Sequence, residues 1–121
     1  KYTCFVKEDT TLPMMYMPDC IKGTIDLMEA DISKLQHHCD FNMASMSFSA
    51  SELATEIKKH IPEFEVEYKP DFRQAIADSW PQSIDDSAAR KEWGWKPSYN
   101  LSSMTKDMLK KLQKRYDEGK L

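Results

Sequence analysis

The stretch "PDFRQAIADSWP", residues 70–81, gathers side chains suited to a small charged molecule. The guanidinium of Arg73 can grip a carboxylate, the carboxylate of Asp78 can receive an ammonium, and Trp80 offers an apolar wall. Pro81 biases Trp80 toward extended backbone and sets it apart from the helix that follows. Each residue also has a plainer reading. On a charge-rich chain, Arg73 and Asp78 suit surface ion pairs, and Trp80 suits a core.

Two other groupings invite chemistry and carry less. His37, His38, Cys39 and Asp40 are all metal-ligating types, but adjacent residues diverge on any regular backbone and cannot close a tetrahedron alone, which favours a polar loop over a metal site. Tyr116 and Lys120 satisfy the Tyr-x-x-x-Lys spacing of an activated tyrosine. Gly119 lies between them near the end of the chain, so the spacing reads as coincidence. The three glycines, Gly23, Gly94 and Gly119, are too scattered for a phosphate-cradling loop, and no G-x-S-x-G elbow occurs. No catalytic, cofactor-binding or metal residue is therefore assigned within the span.

The chain has 121 residues, 40% hydrophobic, 11% aromatic and 31% charged, with a formal charge of -3. Its mean hydropathy is -0.66. It has no apolar run near the ~20 residues of a membrane span. The acidic balance gives no general attraction to nucleic acid or to anionic lipid. Cys4, Cys20 and Cys39 lack the close pairing of a zinc or redox site and read as thiols of a reducing compartment. The first residue is Lys1, inside an apparent strand from Tyr2 to Val6, which suggests that something upstream is missing and leaves targeting unaddressed.

The patterning predicts a β-β-α-β-α-β series followed by helices, an α/β segment over 1–121 with no repeat or linker. After the first strand comes a buried one at Leu12–Met17. A helix over "PDCIKGTIDLMEA" follows, capped by Asp19, with Ile21, Ile25 and Met28 as its stripe. Phe41–Ala44 reads as a strand. Ser49 and Glu52 form a capping box for a helix that Pro62 stops. Phe64, Val66 and Tyr68 alternate with charge as a half-buried strand. Pro70 and Pro81 bracket a short helix. Asp85 or Asp86 caps the next one, and Gly94 closes it between Trp93 and Trp95. Leu101, Met104, Met108, Leu109, Leu112 and Tyr116 stripe a final helix over about 102–118. Residues 101–121 hold six basic and three acidic side chains, a local +3 that reads as a solvated face.

Three stretches of the chain resemble a known family. "LPMMYMPDCIKGTIDLME" is similar to a strand-to-helix step of extended short-chain dehydrogenase/reductases, "FNMASMSFSASELATEIKKHIP" to their next strand and helix, and "SIDDSAARKEWGWKPSYNLSSMTKDML" to their closing helices. Within that family, "YTCFVKEDTTLPMMYMPD" and "PDFRQAIADSWPQSIDDSAAR" are most similar to the branch that oxidises L-threonine with NAD.

The resemblance implies a C-terminal, substrate-domain portion whose Rossmann cofactor half, Gly-rich NAD site and Tyr/Lys pair lie before Lys1. It implies NAD as cofactor of the complete enzyme, with none bound by this span alone, and L-threonine as substrate, oxidised to 2-amino-3-oxobutyrate. It also implies a homodimer, mitochondrial in an animal. It favours Trp80 at the substrate, with Arg73 and Asp78 as candidate partners. Met14, Met15 and Tyr16 can line the pocket or pack the core, and Asp85 reads as a helix cap. On this view Trp93 and Trp95 anchor the Trp80 loop. A sugar-nucleotide epimerase, another extended reductase and a non-catalytic binding module are the competing readings.

Overall fold

The computed structural model describes residues 1–37 and 39–120. Two short strand pairs carry the helices. Strand β1 (Tyr2–Cys4) runs parallel to β4 (Val66–Tyr68), with Tyr2 opposite Val66 and Cys4 opposite Tyr68. Strand β2 (Thr11–Met14) runs antiparallel to β3 (Met46–Ser49), with Thr11 opposite Ser49 and Met14 opposite Met46. Between β2 and β3 lie α1 (Met17–Met28) and a 3-10 turn at Ile32–Lys34. Then come α2 (Ala50–Lys58), α3 (Arg73–Asp78), α4 (Ser87–Trp93) and α5 (Leu101–Asp117).

Several boundaries follow from local signals. Helix α2 opens on the expected capping box: Glu52 N–H donates to Ser49 Oγ at 3.1 Å, and Ser49 N–H donates to Glu52 Oε2 at 2.7 Å. Asn100 and Ser103 form an equivalent box at the start of α5. Gly94 adopts φ 76° and lets the Trp95 amide close on the Ala89 carbonyl at 3.2 Å, ending α4. Asp86 holds the N-cap position of α4 without a side-chain cap bond, and Asp85, one residue earlier, accepts the Ser87 amide with Oδ1 at 2.9 Å, which keeps its carboxyl below the usual range.

Three expectations are corrected. The stretch Phe41–Ala44 forms no strand, and both backbone groups of Ala44 are taken by other partners. The Ala44 amide donates to Asp86 Oδ2 at 3.3 Å, and the Ala44 carbonyl accepts from Trp95 Nε1 at 2.8 Å. Asp19 is not the cap of α1: Tyr16 holds that position, and Pro18 supplies the preset first-turn geometry. Asp19 is instead 1% exposed and accepts the Ser98 and Tyr99 amides at 2.9 and 3.0 Å. It clamps α1 to the approach of α5. The Ile21, Ile25 and Met28 stripe is exposed, and α1 buries Asp19 and Gly23 instead.

Among the described residues, the buried apolar ones are Phe48, Ala54, Ala89, Trp95 and Met104. They join β3, α2, α4 and the first turns of α5. Farther along α5, Met108, Leu112 and Tyr116 of the expected stripe lie exposed.

Candidate functional site

Helix α3 is short, and every turn of it has a local cause. Asp71 Oδ1 accepts the Arg73 amide at 2.9 Å to start it. Ser79 Oγ donates to the Ile76 carbonyl at 2.7 Å at its end, and Pro81 prevents continuation. The turn leaves Trp80 directly after the helix, its amide on the Ala77 carbonyl at 3.2 Å.

On the inner side of α3, Gln74 is 8% exposed and reaches across to the loop before β2. Its Oε1 accepts the Lys7 amide at 2.7 Å, and its Nε2 donates to Asp78 Oδ1 at 2.6 Å and to Thr10 Oγ1 at 3.1 Å. These groups, with Trp80 and Gln82, line a polar pocket of about 170 Å³. Trp80 is 56% exposed in this span and lies outside the cluster of Phe48, Ala54, Ala89, Trp95 and Met104. The structure therefore brings Trp80 and Asp78 together.

Arg73 stands outside that pocket. Its guanidinium pairs with Asp71 at 2.6 Å and lies 3.5 Å from the Phe5 ring centre. That pairing holds the Asp71 carboxyl below its usual range and raises the guanidinium further. Lys7, bonded to Gln74 through its backbone amide, lines the pocket, and Asp9 adds a second carboxylate beside Asp78. Gln74, Thr10 and Lys7 are residues that the sequence reading missed. A Gln four positions before an Asp on one helix was the available sign, since such a pair meets on the helix surface.

Met14, Met15 and Tyr16 lie elsewhere, along an apolar depression with Phe48, Leu53 and Met104. The Tyr16 hydroxyl donates to Asp107 Oδ2 at 2.8 Å, which raises its pKa above the ordinary value and makes it a weaker acid. Such a hydroxyl is a donor, not a base. Lys120 pairs with Glu118 at 2.7 Å, and Tyr116 is 70% exposed.

Trp93 and Trp95 anchor a different region from the expected one. Trp95 is 2% exposed and bonds Ala44, while Trp93 packs on Trp95 and edge-on to Phe41. Their contacts tie α4 to residues 41–45, whereas Trp80 is set by α3 and the Lys7–Thr11 loop. The ring of His37 meets Glu92 Oε1 at 2.5 Å, and Glu92 Oε2 accepts the Gln36 and His37 amides. His38 lies outside the described residues. Among the described residues no group of three or more His, Cys, Asp or Glu side chains could hold a metal ion.

A dinucleotide does not fit the glycines of this span. Gly23 is enclosed by Met43 and Trp95 within α1, Gly94 closes α4, and Gly119 follows α5. None offers the run of free amides that a pyrophosphate needs.

The α/β layering and the succession from β2 into α1 and from β3 into α2 define a class. The chain belongs to the extended short-chain dehydrogenase/reductase family and corresponds to a C-terminal portion of its members. It matches no family model. It is 48% identical over 110 residues to the mitochondrial L-threonine 3-dehydrogenase of Bos taurus, covering 90% of this chain and 29% of that protein. It is 47% identical over 116 residues to an uncharacterized epimerase/dehydratase of Staphylococcus haemolyticus, covering 95% of this chain and 36% of that one. The solved GalE-like L-threonine dehydrogenase of Cupriavidus necator, in its holo form, superposes with a TM-score of 0.88 at 55% identity, over 92% of this chain and 36% of that one. The chain thus spans about a third of the length of the relatives it matches.

Proposed function

We propose that this chain is the substrate-side part of an NAD-dependent dehydrogenase that oxidises L-threonine to 2-amino-3-oxobutyrate, and that it is inactive alone. The observation that carries this reading is the pocket shared by Trp80 and Asp78. Threonine is small and zwitterionic, so its site needs charged partners and a wall that excludes water. Asp78 receives the ammonium, Lys7 draws the carboxylate, and Trp80 forms the wall. Arg73, committed to Asp71 and Phe5, holds its own loop rather than the substrate.

A space of about 170 Å³ suits an amino acid. It falls below the ~300–1,000 Å³ typical of sites for larger ligands, which disfavours a nucleotide-sugar reading. NAD and the residues that hold it belong to the rest of the enzyme. The exposed Met17, Ile21, Ile25 and Met28 on α1 leave apolar surface for that remainder and for the second copy of a homodimer. The thiols Cys4, Cys20 and Cys39 are unpaired, in keeping with a reducing compartment. The mitochondrion is that compartment if the source is an animal. Among the described residues, no helix is long and apolar enough to cross a membrane.

Kinetics of Trp80→Ala in the complete enzyme test the reading. The expected result is a loss of about tenfold in kcat/KM for threonine, equivalent to roughly 1.4 kcal/mol, with NAD affinity and melting temperature nearly unchanged. Normal threonine kinetics in a stable variant overturn it.

A further inference from the structure

We infer that Gln74 is a positioning residue of the substrate pocket: its buried carboxamide clamps the Lys7–Thr10 loop to α3 and sets the direction in which Asp78 faces an ammonium-bearing substrate. The inference rests on the threonine reading above.

The orientation of the carboxamide follows from its neighbours. A backbone N–H only donates, so the oxygen Oε1 faces Lys7 at 2.7 Å. An ionised carboxylate only accepts, so Nε2 faces Asp78 Oδ1 at 2.6 Å. The Thr10 hydroxyl lies within 3.1 Å of Nε2 and 3.3 Å of Oε1, and accepts from the one or donates to the other. One side chain therefore joins two segments more than sixty residues apart in the sequence. Oδ1 of Asp78 is held by this bond, which turns the carboxylate plane and leaves Oδ2 for a ligand. Burial makes the clamp stiff, because a buried amide that loses a partner is left with its desolvation cost uncompensated. Without Gln74, Asp78 swings freely on its own torsions, and the Lys7 amide has no acceptor.

The clamp acts on substrate binding and not on the hydride step. Its removal should raise the KM for threonine while kcat holds. Gln74→Leu in the complete enzyme should raise that KM about tenfold, with kcat and the KM for NAD within about twofold of the parent. Gln74→Glu supplies a signature that general loosening does not. Two carboxylates at hydrogen-bond distance resist ionising together, so at low pH they share a proton and keep the bond, and once that proton is lost at higher pH they repel. In this variant the threonine KM should stay near the parent value at about pH 5.5 and climb as pH rises to about pH 8, beyond any change in the parent.

Asp78→Asn separates the two ideas. If Asp78→Asn raises the threonine KM while Gln74→Leu leaves it unchanged and Gln74→Glu shows no pH dependence, the pocket reading stands and the clamp is overturned. If neither Asp78→Asn nor Trp80→Ala affects threonine, the pocket reading fails. Should Gln74→Leu not fold, Gln74→Glu decides: a flat threonine KM across pH, or equal changes in the threonine and NAD constants, overturns the inference.

Discussion

The ring of Trp95 lies so close to Gly23 that a methyl group on the glycine would sit 2.7 Å from the indole Cζ3. The ring cannot retreat, because its Nε1 is bonded to the Ala44 carbonyl and it is 2% exposed. Met43 Sδ would lie 2.6 Å away on the same site. Glycine at this helical position thus lets α1 approach α4 and residues 43–44.

Gly23→Ala should therefore destabilise the fold although alanine is the better helix former. Overpacking typically costs about 1–3 kcal/mol, against a helix gain of up to ~1 kcal/mol. Urea denaturation should place the variant's midpoint below that of the parent protein. A higher midpoint would mean that Met43 and Trp95 yield without cost.

Ser49→Ala removes the hydroxyl that receives the Glu52 amide and opens half of the capping box. A loss of about 1 kcal/mol is expected. Chemical denaturation measures it, and an unchanged midpoint would show that water replaces the hydroxyl fully.

Glu67 should set part of the acid sensitivity of the β1 and β4 pair. The Lys1 ammonium at 2.5 Å, joined by Lys69, holds its carboxyl down to about 2. A depressed value means that the stabilisation is present above the unfolded value of about 4.3 and is lost as pH falls from there toward about 2. Glu67→Gln should flatten the dependence of melting temperature on pH across that window. Identical pH curves for the two proteins would show that the ion pair contributes nothing, as for many exposed pairs.

The chain by itself should bind no NAD and oxidise no threonine, since Gly23, Gly94 and Gly119 are each engaged in a helix or at its end. Calorimetric titration with NAD should give only heats of dilution. Binding in the micromolar range would contradict the assignment of the cofactor to the rest of the enzyme.

What the amino-acid sequence determined by itself is the set of elements whose signals act between near neighbours. Ser49 and Glu52 lie three residues apart, Gly94 ends α4 through its own backbone freedom, and Pro70 and Pro81 bracket α3. Such features form wherever the chain can close a single turn, so their residue types suffice to locate them. The family resemblance was legible too, because it rests on wording and not on contacts. Only the tertiary structure decided the rest. Asp19 has the composition of a cap and serves as an acceptor for amides 79 and 80 residues away. The stretch Phe41–Ala44 reads as a strand, yet both backbone groups of Ala44 are taken by Asp86 and Trp95. Arg73 and Asp78 share one short helix, yet Arg73 turns to Asp71 and Phe5 while Gln74 carries Asp78 into the pocket with Lys7 and Thr10. The stripe of α1 likewise shows in the periodicity, but periodicity marks an apolar face without naming what covers it. A hydrogen bond across many tens of residues forms only after the intervening elements have packed, and the free energy that selects it lies in that packing and not in either residue alone.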